Sequence, residues 1–553
     1  MANPVTCRPA RAWLEAFPRE NLETPSARRL AALHGLDSPR AGSLPGRLQR
    51  LYADVLTAFA ARHGAEAPCF LVRAPARVNL MGMHTDHRGG AINPIALLET
   101  LVCVGPRPDG RVAIENLDAR YPTREFEIAA ELPQARVVDW EAWTREAYAQ
   151  RAQAGSAGDW SDYVKAALLY YQNRHKGPTG QAQVVVPGMN LLFGSLVPPA
   201  AGLSSSSAMV VSSLIAAMSL TGEWGALELE EIIDWCGDAE WFVGTRGGKG
   251  DHASILCGQP GAVLHLEFFP TRVAAYPLPP GTAIILANSC VAAKKSTGAR
   301  DFFNQRIAGY VIGEHLLKSL DPARYAKAPN LAACTPRRAG GSDSDLYRLL
   351  KRVPEALTRT EALSALPRAQ DALERIFASH AEPPDGYEVR QILLFGLAEI
   401  ERSDRGPEVL AQGDVQGFGR LMNLSHEGDR IFKFTVDTAG RVTSKQEVRH
   451  RYPDAVLDQM LAAAVPLWQV PGGYDACIEE TGLLVDLALS TPGVHGARLI
   501  GAGRGGCVGV LCRGDAAEEV LARLRRGYYE PRQLPLDSAF VASPCQGAGL
   551  VEI

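Results

Sequence analysis

The run Pro198-Pro199-Ala200-Ala201-Gly202-Leu203-Ser204-Ser205-Ser206-Ser207-Ala208 constrains this chain more than any other segment. It turns on a glycine, supplies four consecutive hydroxyls and leads directly into an apolar helical face from Met209 to Leu220. Small residues let a backbone bend tightly and approach a ligand closely, and a helix N-terminus behind the bend adds its positive dipole end. The segment therefore suits a phosphate, with backbone N–H groups around it and hydroxyls for phosphate oxygens or a Mg²⁺. The same composition also suits a Ser-rich surface turn. Gln183 to Val186 reads as the strand that leads towards the loop through Pro187-Gly188, and Leu229 to Phe242 as a second helix ending near Gly244.

A chain of 553 residues that is 46% apolar can bury a large core and is expected to form at least two domains. Its net charge of −4, from 57 basic and 61 acidic side chains, leaves no footprint for nucleic acid, so a small-molecule partner is expected. The 11 cysteines are scattered and form no C-x-x-C pair, which argues against a zinc site and fits a reducing cytoplasm. The N-terminus lacks the basic-then-apolar plan of a signal peptide, and Met209 to Leu220 is too short to span a bilayer. Neither export nor membrane insertion is expected, and the oligomeric state cannot be read from the residues.

Two further segments carry chemistry. Ala74-Pro75-Ala76-Arg77-Val78-Asn79-Leu80-Met81-Gly82-Met83-His84-Thr85-Asp86-His87-Arg88-Gly89-Gly90 sets His84 and Asp86 two residues apart. From an extended backbone both can point the same way and hydrogen-bond adjacent hydroxyls, although the bare residues read equally as a surface turn. Near the C-terminus, Gly496-Ala497-Arg498-Leu499-Ile500-Gly501-Ala502-Gly503-Arg504-Gly505-Gly506-Cys507 runs from a strand into a glycine-rich turn and on to the strand Val508 to Leu511. Between them, Gly247-Gly248-Lys249-Gly250-Asp251-His252 presents Asp251 ahead of an apolar run, as a helix cap or as an acid–base group. The Gly-x-x-x-x-Gly-Lys loop and the His-Arg-Asp catalytic loop of other phosphotransferases are both absent.

In this order the segments resemble the motifs of the GHMP kinases, the family of galactokinase, homoserine kinase, mevalonate kinase and phosphomevalonate kinase. The first is similar to the sugar-site signature of the galactokinase branch, Gly202 to Ala208 to the family's second motif, and Gly496 to Cys507 to its third. Lesser matches include Trp160-Ser161-Asp162-Tyr163-Val164, Phe303-Asn304-Gln305-Arg306 and Gly419-Arg420-Leu421-Met422-Asn423-Leu424-Ser425-His426. The resemblance implies an α+β fold, with an N-terminal α/β domain at 68–320 holding the first two motifs and a C-terminal ferredoxin-like domain at 346–553 holding the third. The active site would lie between them. A helical extension at 1–67, with Leu48, Leu51, Val55, Leu56 and Phe59 at helical spacing, precedes them, and 321–345 reads as a flexible connection or surface insertion.

The implied activity is transfer of the γ-phosphate of ATP to the anomeric hydroxyl of a galactose-like sugar, giving a sugar 1-phosphate and ADP, with ATP and Mg²⁺ as cofactors. By the same resemblance Asp251 is the base and Arg77 the cation beside it and the transferred phosphate. Met83, His84, Asp86 and Phe303 line the sugar. Gly202, Leu203, Ser204, Ser205, Ser206, Ser207 and Ala208, with Gly501, Gly503, Gly505 and Gly506, hold the phosphates, and Ser206 with Glu240 binds Mg²⁺.

The chain departs from galactokinases at the sugar. Met83 stands where they carry Glu, Phe303 where they carry Tyr, and His87 follows Asp86 in place of Tyr; the spacing from Glu240 to Asp251 is one residue shorter than usual. A site that loses buried hydrogen-bonding groups loses discrimination for the hydroxyl they recognised. Plant galacturonate kinases resemble the chain at Met83 and His87, and Lys249, Lys294, Lys295 and Arg300 are cations that can pair with a carboxylate. The same chemistry on galacturonate, a 6-deoxy sugar or a pentose is the alternative, and a non-catalytic sugar and ATP sensor is an alternative of another class.

Overall fold

The computed structural model describes residues 4–36, 44–199, 201–245, 247–291 and 297–552. Its first sheet is built on β1 (Pro68–Met81) and β2 (Asn93–Arg107), which are buried along nearly their whole length. They pair antiparallel from Phe70 opposite Val104 to Met81 opposite Asn93. With β3 (Arg111–Asn116), β4 (Arg124–Glu127) and β5 (Gly188–Ser195) the order is β1-β2-β5-β3-β4, and only β3 and β5 run parallel. Arg8–Pro9 and Gly549–Leu550 extend β1 into a seven-stranded sheet, so both ends of the described chain close on the same strand.

The strand entering the serine loop is β5, not Gln183 to Val186. The apolar look of Val184-Val185-Val186 is misleading, because Val185 is 70% exposed. The Gln172 side chain takes the backbone groups that a ladder would use, donating to the Val184 carbonyl at 2.9 Å and accepting from the Val186 N–H at 2.9 Å.

Around this sheet lie α1 (Leu44–His63), α2 (Asp162–Arg174), α3 (Ser205–Thr221), α4 (Leu229–Glu240) and α5 (Gly250–Cys257). The apolar stripe of α1, with Leu48, Leu51, Val55, Leu56 and Phe59, is fully in the core. The N-terminal segments are integral to that core, since His34, Tyr52 and Arg73 all converge on the buried Glu99 carboxylate.

A second sheet contains β6 (Thr282–Asn288), β7 (Val494–Leu499), β8 (Cys507–Arg513) and β9 (Ala539–Ala542), antiparallel in the order β7-β8-β6-β9. Helices Glu479–Leu489 and Ala517–Leu524 pack on one face through Leu484, Leu487, Val520 and Leu524. β6 therefore sits in the sheet of the third motif, although the sequence reading gave residues 282–288 to the first domain. A short apolar run suits either sheet, and only its pairing with β8 and β9 decides.

The segment 321–345 is a series of short helical turns, not a flexible connection. Tyr325, Leu331, Ala332 and Cys334 are buried among the residues of α6 (Thr297–Leu320) and α7 (Val389–Ala411). Its helical turns, four residues each at Pro322–Tyr325, Leu331–Cys334 and Pro336–Ala339, are too short for periodicity to register. Between the two sheets lies a buried cluster in which Val78, Leu80 and Ile95 meet Leu286, Met422 and Ile500. The three motifs gather at the edge of this cluster.

Candidate active site

The serine loop is shaped at its two turning residues. Gly202 has φ 76° and Ser204, the residue before α3, has φ 58°, so the chain passes twice through left-handed backbone before the helix starts. Ser204 does not cap the helix; its hydroxyl donates to Asp251 instead. The first-turn N–H groups of a 17-residue helix are thus left without a side-chain cap and without an acidic neighbour in that turn. Ser205 and Ser206 are half-buried at this end, whereas Leu203 and Ala208 turn their side chains into the core and offer only backbone.

The third motif closes over the loop from the turn between β7 and β8. A side chain at Gly501 would stand 3.4 Å from the Gly202 carbonyl oxygen, and one at Gly506 would stand 3.1 Å from that of Ala201. Both residues also have left-handed backbone, with φ 78° at Gly501 and 82° at Gly506, which favours glycine at each. Gly503 and Gly505 are buried in the same turn, Gly503 against Ala476.

Arg77, on β1, joins the loop to Asp251 on the first turn of α5. Its Nε donates to Asp251 Oδ1 at 2.6 Å, its Nη2 to Oδ2 at 2.9 Å and its Nη1 to the Gly202 carbonyl at 2.9 Å. The Arg77 N–H also donates to the Leu203 carbonyl at 3.2 Å. Burial pulls the Asp251 carboxyl upward, but the charge and hydrogen bonds of Arg77, then the Ser204 hydroxyl and His252, outweigh it and hold it below the ordinary carboxylate range. Asp251 is therefore an ionised acceptor at neutral pH.

Asp86 lies across the same opening. The loop leading to Asp251 passes over it so closely that a side chain at Gly248 would come within 2.8 Å of Asp86 Oδ2. Burial raises the Asp86 carboxyl, and His87 followed by Arg77 brings it below its ordinary value. His84, with φ 65°, turns the other way: its ring stacks on Tyr474 at 4.0 Å and its Nε2 lies 3.3 Å from Asp429 Oδ1. Met83 is 6% exposed. Phe303 is half-buried beside Phe302, and it is Phe302 that meets Tyr474 edge-on at 6.4 Å.

Glu240 accepts from the Ser207 hydroxyl at 3.1 Å, and its Oε2 lies 2.7 Å from His252 Nε2. This carboxylate beside a row of hydroxyls is a hard oxygen donor set of the kind Mg²⁺ takes together with phosphate oxygens, so the residues fit the ion. Among the described residues no cluster of three or more His, Cys, Asp or Glu side chains could hold a metal by itself. Of the cations expected near the sugar, Lys249 is paired with Asp234 at 2.8 Å on the outside of α4. Lys294 and Lys295 lie outside the described residues, as does the side chain of Arg300.

The sequence reading missed the group that fixes the sugar motif from behind. Glu399 on α7 accepts from the N–H groups of Gly82 at 2.9 Å and Met83 at 3.2 Å, from the Ser425 hydroxyl at 2.7 Å, from Arg402 at 2.8 Å and from Arg498 at 3.2 Å. Glu399, Arg402 and Arg498 are all fully buried. A signal was present, since Glu399 and Arg402 sit one turn apart after the apolar run from Ile392, the pattern of a buried ion pair.

Profiles of three described families match the chain in order: the galactokinase galactose-binding signature over residues 57–106, the GHMP kinase N-terminal domain over 162–259 and the GHMP kinase C-terminal domain over 454–530. The chain carries the galactokinase sugar-binding signature and both domains of the GHMP kinases. Each profile covers one of the segments gathered at the opening. Galactokinase of Canis lupus familiaris is 26% identical over 88% of this kinase and 95% of its own length, and that of Homo sapiens 26% over 87% and 93%. Galactokinase of Chloroflexus aggregans is 26% identical over 84% and 90%. The solved Lactococcus lactis galactokinase complexed with galactose shares the fold, with a TM-score of 0.58 and 18% identity over 90% of this kinase and 98% of that chain. No described helix is long and apolar enough to cross a membrane.

Proposed function

We propose that this kinase transfers the γ-phosphate of ATP to the anomeric hydroxyl of a galactose-like sugar, releasing a sugar 1-phosphate and ADP. The observation that carries this reading is the junction of Asp251, Arg77 and the serine loop: an ionised carboxylate, a cation and an uncapped helix N-terminus within hydrogen-bond reach of one another. Phosphoryl transfer asks little else of a protein than positioning and charge neutralisation. Asp251 receives the proton of the attacking hydroxyl, Arg77 neutralises charge on the transferring group, and Asp86 orients the sugar. The backbone of Gly202 to Ser207 and of Gly501 to Gly506 surrounds the phosphates. Ser206 and Glu240 would hold a Mg²⁺, whose chemistry is to neutralise phosphate oxygens.

The test is ADP release by the purified protein over a panel of galactose, galacturonate, fucose, arabinose and amino-sugars. Sugar-dependent ADP release is expected; tight binding of ATP and sugar without it would replace the kinase by a sensor.

Two variants examine the parts. Arg77→Met removes the charge that outweighs burial at Asp251, so the carboxyl's pKa rises and the acid limb of the pH–rate profile moves to higher pH. The accompanying fall in kcat is expected to be about 100-fold, with a smaller change in the sugar KM. His252→Asn loosens the carboxylate of Glu240 and is expected to raise the Mg²⁺ concentration for half-maximal rate about tenfold, read from a metal titration at saturating ATP.

A further inference from the structure

Arg504 occupies the turn of the third motif with φ 59°, and its N–H donates to the Ala476 carbonyl at 3.0 Å, tying the turn to the segment that carries Tyr474. Its guanidinium lies over the ring of Phe302, 4.0 Å from the centroid, and Arg306 approaches the same ring at 4.7 Å. The neighbouring arginines have carboxylate partners. Arg306 donates to Glu388 at 2.8 Å, Arg451 lies 2.9 Å from Asp475 and 2.7 Å from Glu388, and Arg449 lies 2.7 Å from Glu447. Arg504 is half-buried, and among the described residues its side chain has no hydrogen bond and no ion pair. Burial, and then the charges of Arg306 and Arg449, hold its basicity below that of an ordinary arginine. An anion arriving here would meet a cation whose neighbours repel it and whose donors are open.

The surroundings of Arg504 lead to the sugar motif. Phe302 meets Tyr474 edge-on, Tyr474 lies against Tyr310 at 5.9 Å, and Tyr310 meets the ring of His87 at 6.2 Å, beside Asp86. The phosphate loop has its own cation in Arg77, which is held on Gly202 and Asp251. Met83 carries no charge, so it sets no repulsion against an anionic sugar.

We propose that Arg504 is the anion-recognising residue of the acceptor pocket and that the preferred acceptor is a uronic acid of the galactose series, its carboxylate taken by the Arg504 guanidinium. This rests on the sugar-kinase reading above. A planar guanidinium binds a carboxylate through two parallel N–H donors, which a neutral primary alcohol cannot match.

The experiment compares D-galacturonate with D-galactose in wild type, Arg504→Gln and Arg504→Lys. Wild type is expected to favour galacturonate in kcat/KM. Arg504→Gln should raise the galacturonate KM about 10- to 100-fold, with the ATP KM unchanged. Arg504→Lys, which keeps the charge and loses the fork, should fall between; if the Gln variant does not fold, the Lys variant decides by the same KM ratio. Preference of the wild type for galactose, or a rise of the ATP KM in parallel, would overturn the proposal, the latter by assigning the cation to the nucleotide phosphates. If no sugar is turned over, calorimetric titration with galacturonate separates the two readings: binding to wild type that is lost in Arg504→Gln supports the carboxylate site while removing the kinase reading. Absence of binding to wild type overturns the site itself.

Discussion

Replacing Asp251 with Asn is expected to lower kcat about 10³-fold while ATP binding stays within about twofold, because a positioned proton acceptor contributes about 10²- to 10⁴-fold and the phosphates are held by other groups. The substitution keeps the shape and one acceptor oxygen, so the hydrogen bonds from Ser204 and Arg77 survive in part. Arg77 then faces a neutral amide, so the unfolding midpoint should fall, though by less than at a fully buried pair because the Asp251 side chain is 32% exposed. Steady-state kinetics with a fluorescent nucleotide titration checks both halves, and a variant that keeps more than a tenth of wild-type turnover would remove Asp251 from the role of base.

Glu399→Gln is expected to be the most destabilising conservative change near the site. It leaves Arg402 and Arg498 buried opposite a neutral amide, and the N–H groups of Gly82 and Met83 compete for its single oxygen. Removing one partner from a buried ion pair costs about 3–5 kcal/mol. The pH dependence has a definite sign. Burial raises the Glu399 carboxyl, while Arg402, Arg498 and Ser425 bring it from 4.5 to about 2. A carboxyl depressed in the folded state stabilises fully above its unfolded pKa and loses that contribution as pH falls through the folded one. At 1.36 kcal/mol per unit this amounts to about 3 kcal/mol lost between about pH 5 and pH 2. Urea midpoints of wild type should fall through that window, and those of Glu399→Gln should change less. A variant as stable and as pH-sensitive as wild type would contradict the network. Because the carboxylate holds the turn before His84, the sugar KM should rise more than the ATP KM in protein that remains folded.

Legibility in the sequence followed the physics of each feature. The serine loop and the turns of the first and third motifs stand out because tight backbone approaches restrict residue type, as at Gly503, where a side chain would stand 2.6 Å from the Ala476 carbonyl oxygen. The helix behind the loop was clear from its apolar run, and α3 extends over Ser205–Thr221. Strand assignment failed at Gln183 to Val186, where one Gln172 side chain satisfies the backbone, and the domain boundary does not separate 282–288, whose sheet membership depends on partners more than 200 residues away. The contacts of His252, Tyr474, Glu399 and Arg504 were invisible because they join distant segments, and no local pattern marks a residue for a partner it meets only after folding. Phe302 and Phe303 show the limit at single-residue scale: the motif resemblance points to Phe303, while the helix turns its neighbour Phe302 towards Tyr474.

The central claim, transfer to the anomeric oxygen, is tested most directly by phosphorus-31 NMR of the product formed from ATP and the sugar that the panel selects. The account predicts ADP and a single sugar phosphate whose phosphorus couples to the anomeric proton. A phosphate on any other hydroxyl, or ATP left intact with every sugar, would contradict it.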